Sequence, residues 1–179
     1  MYLKNLESSI DRILSNFNID PNSLSKGSFD RYFWGWKYKD FQDSSLIYSY
    51  LVLKKLINLK KIKINEDYFD NIVLENILNI QHKNGSFDQS YPNELHPKIG
   101  YDFSELLFIL LKDKNKKINS KYFASYKLLI DYSLKDENYG LISNHLCHHM
   151  YEIYLAFILF KEKKYYNEFK KILNKLEIS

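Results

Sequence analysis

Ile80-Gln81-His82-Lys83-Asn84-Gly85-Ser86-Phe87-Asp88 decides how this chain is read, because its last four residues occur twice. Gly27-Ser28-Phe29-Asp30 is the first copy and Gly85-Ser86-Phe87-Asp88 the second, 58 residues on (27 to 85). Each copy is followed by an aromatic-rich loop and then a long apolar run. A decayed third copy, Tyr139-Gly140-Leu141, comes 55 residues later (85 to 140). Periods of this length mark stacked supersecondary units, so one structural idea is expected three times.

Each unit reads as two helices of different character. Leu46 to Leu56, Leu106 to Leu111 and Met150 to Phe160 are apolar nearly all round, which predicts helices buried on most sides. The second member is amphipathic. Tyr68, Phe69, Ile72, Val73, Ile77 and Ile80 define an apolar face, with Asp67, Asp70, Glu75 and Asn76 opposite. Segments 121–134 and 165–176 repeat that pattern, and 3–17 resembles a second helix without its first. Asn65, Ser120, Asn144 and Asp102 with Glu105 stand where N-caps belong.

About seven helices, alternating inner and outer, with glycine and aromatic loops at one end, are what an α/α toroid or solenoid produces; a helix bundle is the plainer rival. The expected fold is therefore all-α, a partial α/α toroid of about three hairpins plus an N-terminal helix, in a single domain over 1–179. A six-hairpin ring needs twelve helices. The ring is then incomplete or truncated, or a second chain or oligomer completes its wall.

With 179 residues, 45% hydrophobic and 17% aromatic, the chain can bury a core, which argues against disorder. A net charge of +4 with lysines in scattered pairs (Lys54-Lys55, Lys60-Lys61, Lys163-Lys164, Lys170-Lys171) reads as solvated helix faces, not a nucleic-acid stripe. The single cysteine, Cys147, excludes an intramolecular disulfide and reads as packing in an apolar helix. No basic segment followed by an apolar run opens the chain, so no signal peptide is expected. The stretch Ile153 to Phe160 falls short of the ~20 residues a bilayer requires. A cytoplasmic protein without nucleic-acid or membrane partner, and without a cofactor, is the expectation.

The segment from Ile80 to Phe87 resembles the glutamine-glycine-aromatic loop of squalene-cyclase-like (terpenoid cyclase-like) α/α toroids, with Phe87 where tryptophan is usual. Phe33-Trp34-Gly35-Trp36-Lys37, Gly85 to Glu94 and Ser143-Asn144-His145-Leu146 together resemble toroid proteins of bacterial surface-polysaccharide loci. Those proteins are similar to the N-terminal helical domain of heparinase-type polysaccharide lyases. The likeness covers most of 27–175, but those proteins continue well past this length.

If the three loops fall at one end of their hairpins, their polar residues converge on a mouth. Arg31, Trp34, Trp36 and Lys37 come from the first loop, with Asp30. Asp88, Tyr91, Asn93, Glu94, His96 and Tyr101 come from the second, and Asn144, His145 and His149 from the third. Aromatic rings beside charged and amide groups suit a sugar, whose C–H faces stack on rings while its hydroxyls need donors and acceptors. The lyase resemblance implies that Asn144 and His145 neutralise a uronate carboxylate, with the phenol of Tyr91, Tyr101 or Tyr151 moving the proton. Asn144, His145, Tyr101 and Glu94 are thus the candidate catalytic residues. Arg31, Trp34, Trp36, Lys37, Asp88, Tyr91, Asn93 and His149 are the candidate substrate contacts.

Plainer readings stand beside these. Asn144 can simply cap its helix, and Asp30 and Asp88 can close Asx turns. His145 with His149, and His148 with Glu152, have the one-turn spacing of metal ligands, but no HExxH motif accompanies them, and no metal is expected. Prenyl chemistry lacks an Asp-rich motif. The functional expectation is a carbohydrate-directed protein that binds or acts on a polysaccharide, lyase-like or in surface-polysaccharide biosynthesis. The alternatives are a non-catalytic scaffold or interaction module, and third a glycoside hydrolase or epimerase using Asp30, Asp88 or Glu94.

Overall fold

The computed structural model describes residues 10–11, 13–23, 26–27, 47–59, 63–87, 101–112, 120–135 and 143–178. Six helices run through them: α1 (Ile47–Asn58), α2 (Glu66–Ile80), α3 (Tyr101–Lys112), α4 (Ser120–Ser133), α5 (Ser143–Phe160) and α6 (Lys163–Ile178). Ile10, Asp11 and 13–15 are helical as well, and apart from an isolated bridge at Phe17 no other regular structure occurs among the described residues. The class is all-α.

Local chemistry sets the helix ends. The Asn65 side-chain oxygen accepts the Tyr68 N–H at 3.3 Å, satisfying one of the N–H groups that a helix start leaves open. Glu66 and Asp67 add negative charge where the helix dipole favours it. Between α5 and α6, Lys161 takes the left-handed conformation usually left to glycine (φ 59°), and its N–H closes on the Phe157 carbonyl at 2.9 Å.

The apolar-all-round helices are the buried ones. Helix α1 buries Tyr50, Leu51, Leu53, Leu56 and Ile57, and α3 buries Phe103, Leu106, Leu107 and Leu110. Each such side chain contributes about 1.5–3 kcal/mol. Helices α2 and α4 bury one face each, through Val73, Leu74 and Ile77, and through Tyr122, Tyr126, Leu129 and Ile130. The expectation fails for α5. Ile153, Leu155 and Ala156 are buried, but Tyr151 is 44% and Tyr154 41% exposed, and Cys147 is exposed instead of packed. In α2, Asp70 and Asn76 lie buried instead of facing solvent, while Tyr68 is outside.

The backbone falls into two compact units, Met1–Ile80 with Phe87–Ile99, and Gln81–Ser86 with Gly100–Ser179. In the first, α1 and α2 run antiparallel: Tyr50 donates its hydroxyl to Asp70, and Lys54 meets Glu66 at 2.8 Å. In the second, Tyr154 stacks near Phe169, Phe157 near Tyr166 and Phe160 near Tyr165, with ring centroids 5.2, 5.2 and 6.0 Å apart. Partner numbers run in opposite directions, so α5 and α6 form an antiparallel hairpin. Lys127–Glu162 and Lys164–Asp131 ion pairs, both 2.6 Å, tie α4 to it, and Lys127 is the largest cause of Glu162 ionising below its usual range.

The repeated glycine does the same thing in both units. Gly27 (φ 87°) and Gly85 (φ 100°) both have the backbone that L side chains avoid. A Cβ on Gly27 would lie 2.6 Å from the Ile72 carbonyl oxygen of α2; one on Gly85 would lie 2.6 Å from the Leu128 carbonyl carbon of α4. Each glycine turn is therefore pressed against the backbone of an amphipathic helix. Gln81 locks the second turn, donating to the Gly85 and Ser125 carbonyls at 3.1 and 3.0 Å while accepting the Ser125 hydroxyl at 2.6 Å. Gln81 thereby bridges the turn to the middle of α4.

Candidate functional site

The expected mouth divides into residues that the structure describes and residues that it does not. Arg31, Trp34, Trp36, Lys37, Asp88, Tyr91, Asn93 and Glu94, with Asp30 and His96, lie outside the described residues. Tyr101 opens α3, and Asn144 and His145 stand in the first turn of α5, but only their backbone is described. Helices α3 and α5 pack against each other.

Helical register separates the α5 candidates. Residues three and four apart share a face, so Asn144, His148 and Tyr151 form one stripe and His145, His149 and Glu152 another. The first stripe opens to solvent: His148 and Tyr151 are exposed, with Tyr154 three residues further on. The second turns inward. His149 is fully buried, and its Nδ1 lies 2.8 Å from Oε1 of the equally buried Glu152. His149 is therefore part of a buried polar pair and not a contact at an open mouth. His148, which the spacing pairs with Glu152, points elsewhere. Oε2 of Glu152 has no hydrogen-bond partner among the described residues.

The polar interior around this pair is extensive. Ser104 of α3 donates to the Tyr126 hydroxyl of α4 at 3.1 Å, with both side chains buried. Burial raises the Tyr126 phenol far above the usual tyrosine range, and the Glu152 charge adds to the rise, so Tyr126 stays protonated. At the surface, Tyr151 donates its hydroxyl to Oε1 of Glu105 on α3 at 3.3 Å. Here an accessible phenol and a carboxylate meet on two packed helices, with the exposed His148 one turn away on the same stripe.

A second polar cluster, which local sequence patterns do not reveal, occupies the first unit. Asp70 accepts the Tyr50 hydroxyl and sits 3.1 Å from the Lys54 ammonium, which also meets Glu66. Lys54, expected on a solvated face, is almost wholly buried. It can be, because two carboxylates neutralise it. Burial, with Glu66 as the lesser cause, lifts the Tyr50 phenol well out of its ordinary range. Lys54 and Asp70 are buried and Glu66 partly exposed, and the network reads as a structural clasp between α1 and α2. An open cavity of this unit, about 600 Å³, lies along α2 and is lined by Asn71, Glu75, Asn76, Asn79 and Lys26 among others.

Among the described residues no group of three or more His, Cys, Asp or Glu side chains is placed to hold a metal ion, and no helix is long and apolar enough to cross a membrane. Compared with protein-family models, with curated proteins and with solved structures, the chain matches none of them.

Proposed function

We propose that this chain is a carbohydrate-directed helical-hairpin protein of partial-toroid design, and that the exposed stripe of α5 with Glu105 of α3 is where it meets an acidic polysaccharide. The observation that carries this reading is the exposed Tyr151–Glu105 pair beside Tyr154. Tyr151 and Tyr154 offer ring faces for sugar C–H groups, while Glu105 and His148 supply polar contacts to hydroxyls. The register of Asn144 puts it on the same stripe.

The chemistry such a stripe suits is β-elimination of a uronate. In this reading the exposed His148 imidazole is the base that takes the proton next to the carboxylate; the C–O bond to the neighbouring sugar breaks as a C=C bond forms; and the Tyr151 phenol protonates the leaving oxygen. For that transfer the Tyr151 hydroxyl turns from Glu105, which it meets at 3.3 Å in the resting chain, to the leaving oxygen. The test is a panel of uronate-containing polysaccharides followed by ultraviolet absorbance of the new conjugated double bond, with affinity electrophoresis for binding alone. Tyr151→Phe should lose product while retaining binding, and Tyr154→Ala should weaken binding. No product and no retardation with any polysaccharide would refute the proposal.

The second reading, a non-catalytic interaction module, is favoured by the same tyrosines, because Tyr is enriched where protein surfaces pair. Tyr166 of α6 is also exposed. It predicts a concentration-dependent mass in solution that Tyr151→Ser with Tyr154→Ser reduces, and blank sugar panels.

A further inference from the structure

We propose that the exposed stripe of α5 runs on into a cationic subsite at the α5–α6 turn, where Lys161, Lys163 and Lys170 hold carboxylates of an acidic polysaccharide several sugar units away from the one at Tyr151. This subsite presupposes the polysaccharide reading of the stripe and sets the length and charge of the ligand. Helical spacing carries the stripe forward: from His148, Tyr151 and Tyr154 it continues through half-exposed Ile158 to exposed Lys161, whose N–H still bonds the Phe157 carbonyl at 2.9 Å. Ten helical residues rise about 15 Å, so a ligand that reaches from Tyr151 to Lys161 is a polymer and not a single sugar.

Two of the lysines stand on a ladder of rings. Lys161 Nζ lies 5.6 Å from the Phe157 ring centroid, Phe157 packs on Tyr166 of α6 at 5.2 Å, and Lys170 Nζ lies 5.3 Å from the Tyr166 centroid. Such contacts hold an ammonium over a ring and restrict its rotamers before a ligand arrives. Lys163 joins from α6: Lys163, Asn167 and Lys170 follow at spacings that share one helix face, with Tyr166 beside them, and all four are exposed. Tyr154 connects the subsite to the stripe, being exposed on α5 and packed on Phe169 of α6 at 5.2 Å.

The charge of this surface is uncompensated. None of the three lysines pairs with a carboxylate among the described residues. The described carboxylates of α4 and α6, with Glu162 just before α6, are engaged elsewhere: Glu162 with Lys127 and Lys164 at 2.6 and 3.5 Å, Asp131 with Lys164 at 2.6 Å, and Glu168 with Lys171 at 3.2 Å. Local preference also runs against two of the three. Lys161 keeps a side chain at φ 59°, where glycine is favoured, and Lys163 opens α6, where the helix dipole opposes a cation. Three ammoniums without a carboxylate call for an anionic partner. Phe157 and Lys170 already engage the Tyr166 ring, which disfavours stacking of a nucleic-acid base. Ile172 is buried and Leu173 half-buried, which leaves α6 no apolar face for a lipid surface. Asn167, between Lys163 and Lys170, offers two donors and an acceptor for sugar hydroxyls.

The experiment measures binding of the full chain to polygalacturonate, alginate and hyaluronan, and to the disaccharide of each, by titration calorimetry. Lys161→Gln/Lys170→Gln is compared with a charge-matched control, Lys63→Gln/Lys83→Gln. All four positions are exposed, so matching circular dichroism melts verify the folds. The expected result is that the Lys161/Lys170 variant binds the polymer about fivefold more weakly, as two lost exposed ion pairs require, with the difference vanishing at ~1 M salt. The control, and the disaccharide with either variant, should behave as the wild type does. Polymer binding that the Lys161/Lys170 variant leaves unchanged, that the control weakens equally, or that falls alike for the disaccharide overturns the subsite and leaves the polysaccharide reading standing. A wild type that binds none of the three polymers overturns that reading and the subsite with it, and lysine-dependent binding of oligothymidylate or anionic vesicles in their place does the same.

Discussion

Replacing Gly85 by alanine tests the architecture most directly. At φ 100° an L residue pays roughly 1–2 kcal/mol for a left-handed backbone. The new Cβ would also stand 2.6 Å from the Leu128 carbonyl carbon and 3.0 Å from its Cγ. A helix carbonyl cannot swing aside without disturbing α4, so overpacking adds about 1–3 kcal/mol. A loss near ~3 kcal/mol lowers the melting temperature by about 6–12 °C for a chain of this size. Urea and thermal melts followed by far-ultraviolet circular dichroism give the number, with exposed Lys83→Ala as the neutral reference. Gly27→Ala, opposed by Ile72 and Asn76, should behave alike. The mechanism also forbids a rescue: Leu128→Ala removes the Cγ contact but leaves the carbonyl. A loss below ~1 kcal/mol for Gly85→Ala, or restored stability in Gly85→Ala/Leu128→Ala, would refute the docking of this turn on the backbone.

Alkaline titration should expose the two buried phenols. The folded chain holds Tyr50 and Tyr126 protonated while their unfolded forms ionise near ~10, so stability is full below pH ~10 and falls above it by about 1.4 kcal/mol per pH unit per tyrosine. Tyr165, pushed up to about 12 by burial first of all, steepens the fall until that pH. Absorbance at alkaline pH should show these tyrosines ionising with unfolding; early ionisation in a folded chain would contradict their burial. Asp70→Ala, leaving Lys54 buried against only Glu66, should cost about 3–5 kcal/mol, whereas Lys54→Met/Asp70→Leu should cost clearly less in the same urea melts. His149→Ala should likewise cost about 3–5 kcal/mol by stranding Glu152, and Glu152→Gln should be milder.

The backbone plan was legible because its signals are local. One tetrapeptide, met twice, marked two glycine turns of similar conformation, and Asn65 stood at its cap, whereas the Gln81 bridge to Ser125 spans 44 residues and was not legible. What escaped depends on partners distant in sequence. Asp70 and Lys54 look like solvent-facing residues to any periodicity rule, since charged groups are buried only when paired. The pairing spans 12 to 20 residues, so the helical pattern of α2 alone cannot display it. In α5 the error ran the other way. Tyr151 and Tyr154 count as apolar in the pattern, yet both are amphipathic and tolerate water at the ring edge. His148 and Glu152 have one-turn spacing, but the pair that forms is His149 with Glu152, at i,i+3.

The buried pair explains why the exposed stripe faces outward. The apolar residues of α5 cover most of its circumference, so hydrophobic burial alone fixes its rotation weakly. Residues 148 and 149 point about 100° apart on a helix, and 151 and 152 likewise. A rotation that brought Tyr151 inward would carry His149 and Glu152 out of the interior beside Tyr126 and break the contact of Tyr151 with Glu105 of α3. One orientation therefore satisfies both stripes. Ser104–Tyr126 and Tyr50–Asp70 link α3 and α1, both nearly all-apolar, to their amphipathic partners through buried polar contacts. Where α1 and α3 use the device only to pack, α5 uses it while leaving His148, Tyr151 and Tyr154 accessible. Exposed His148, Tyr151 and Tyr154 on a helix packed against α3 and α6 are the combination a binding surface on a rigid element requires.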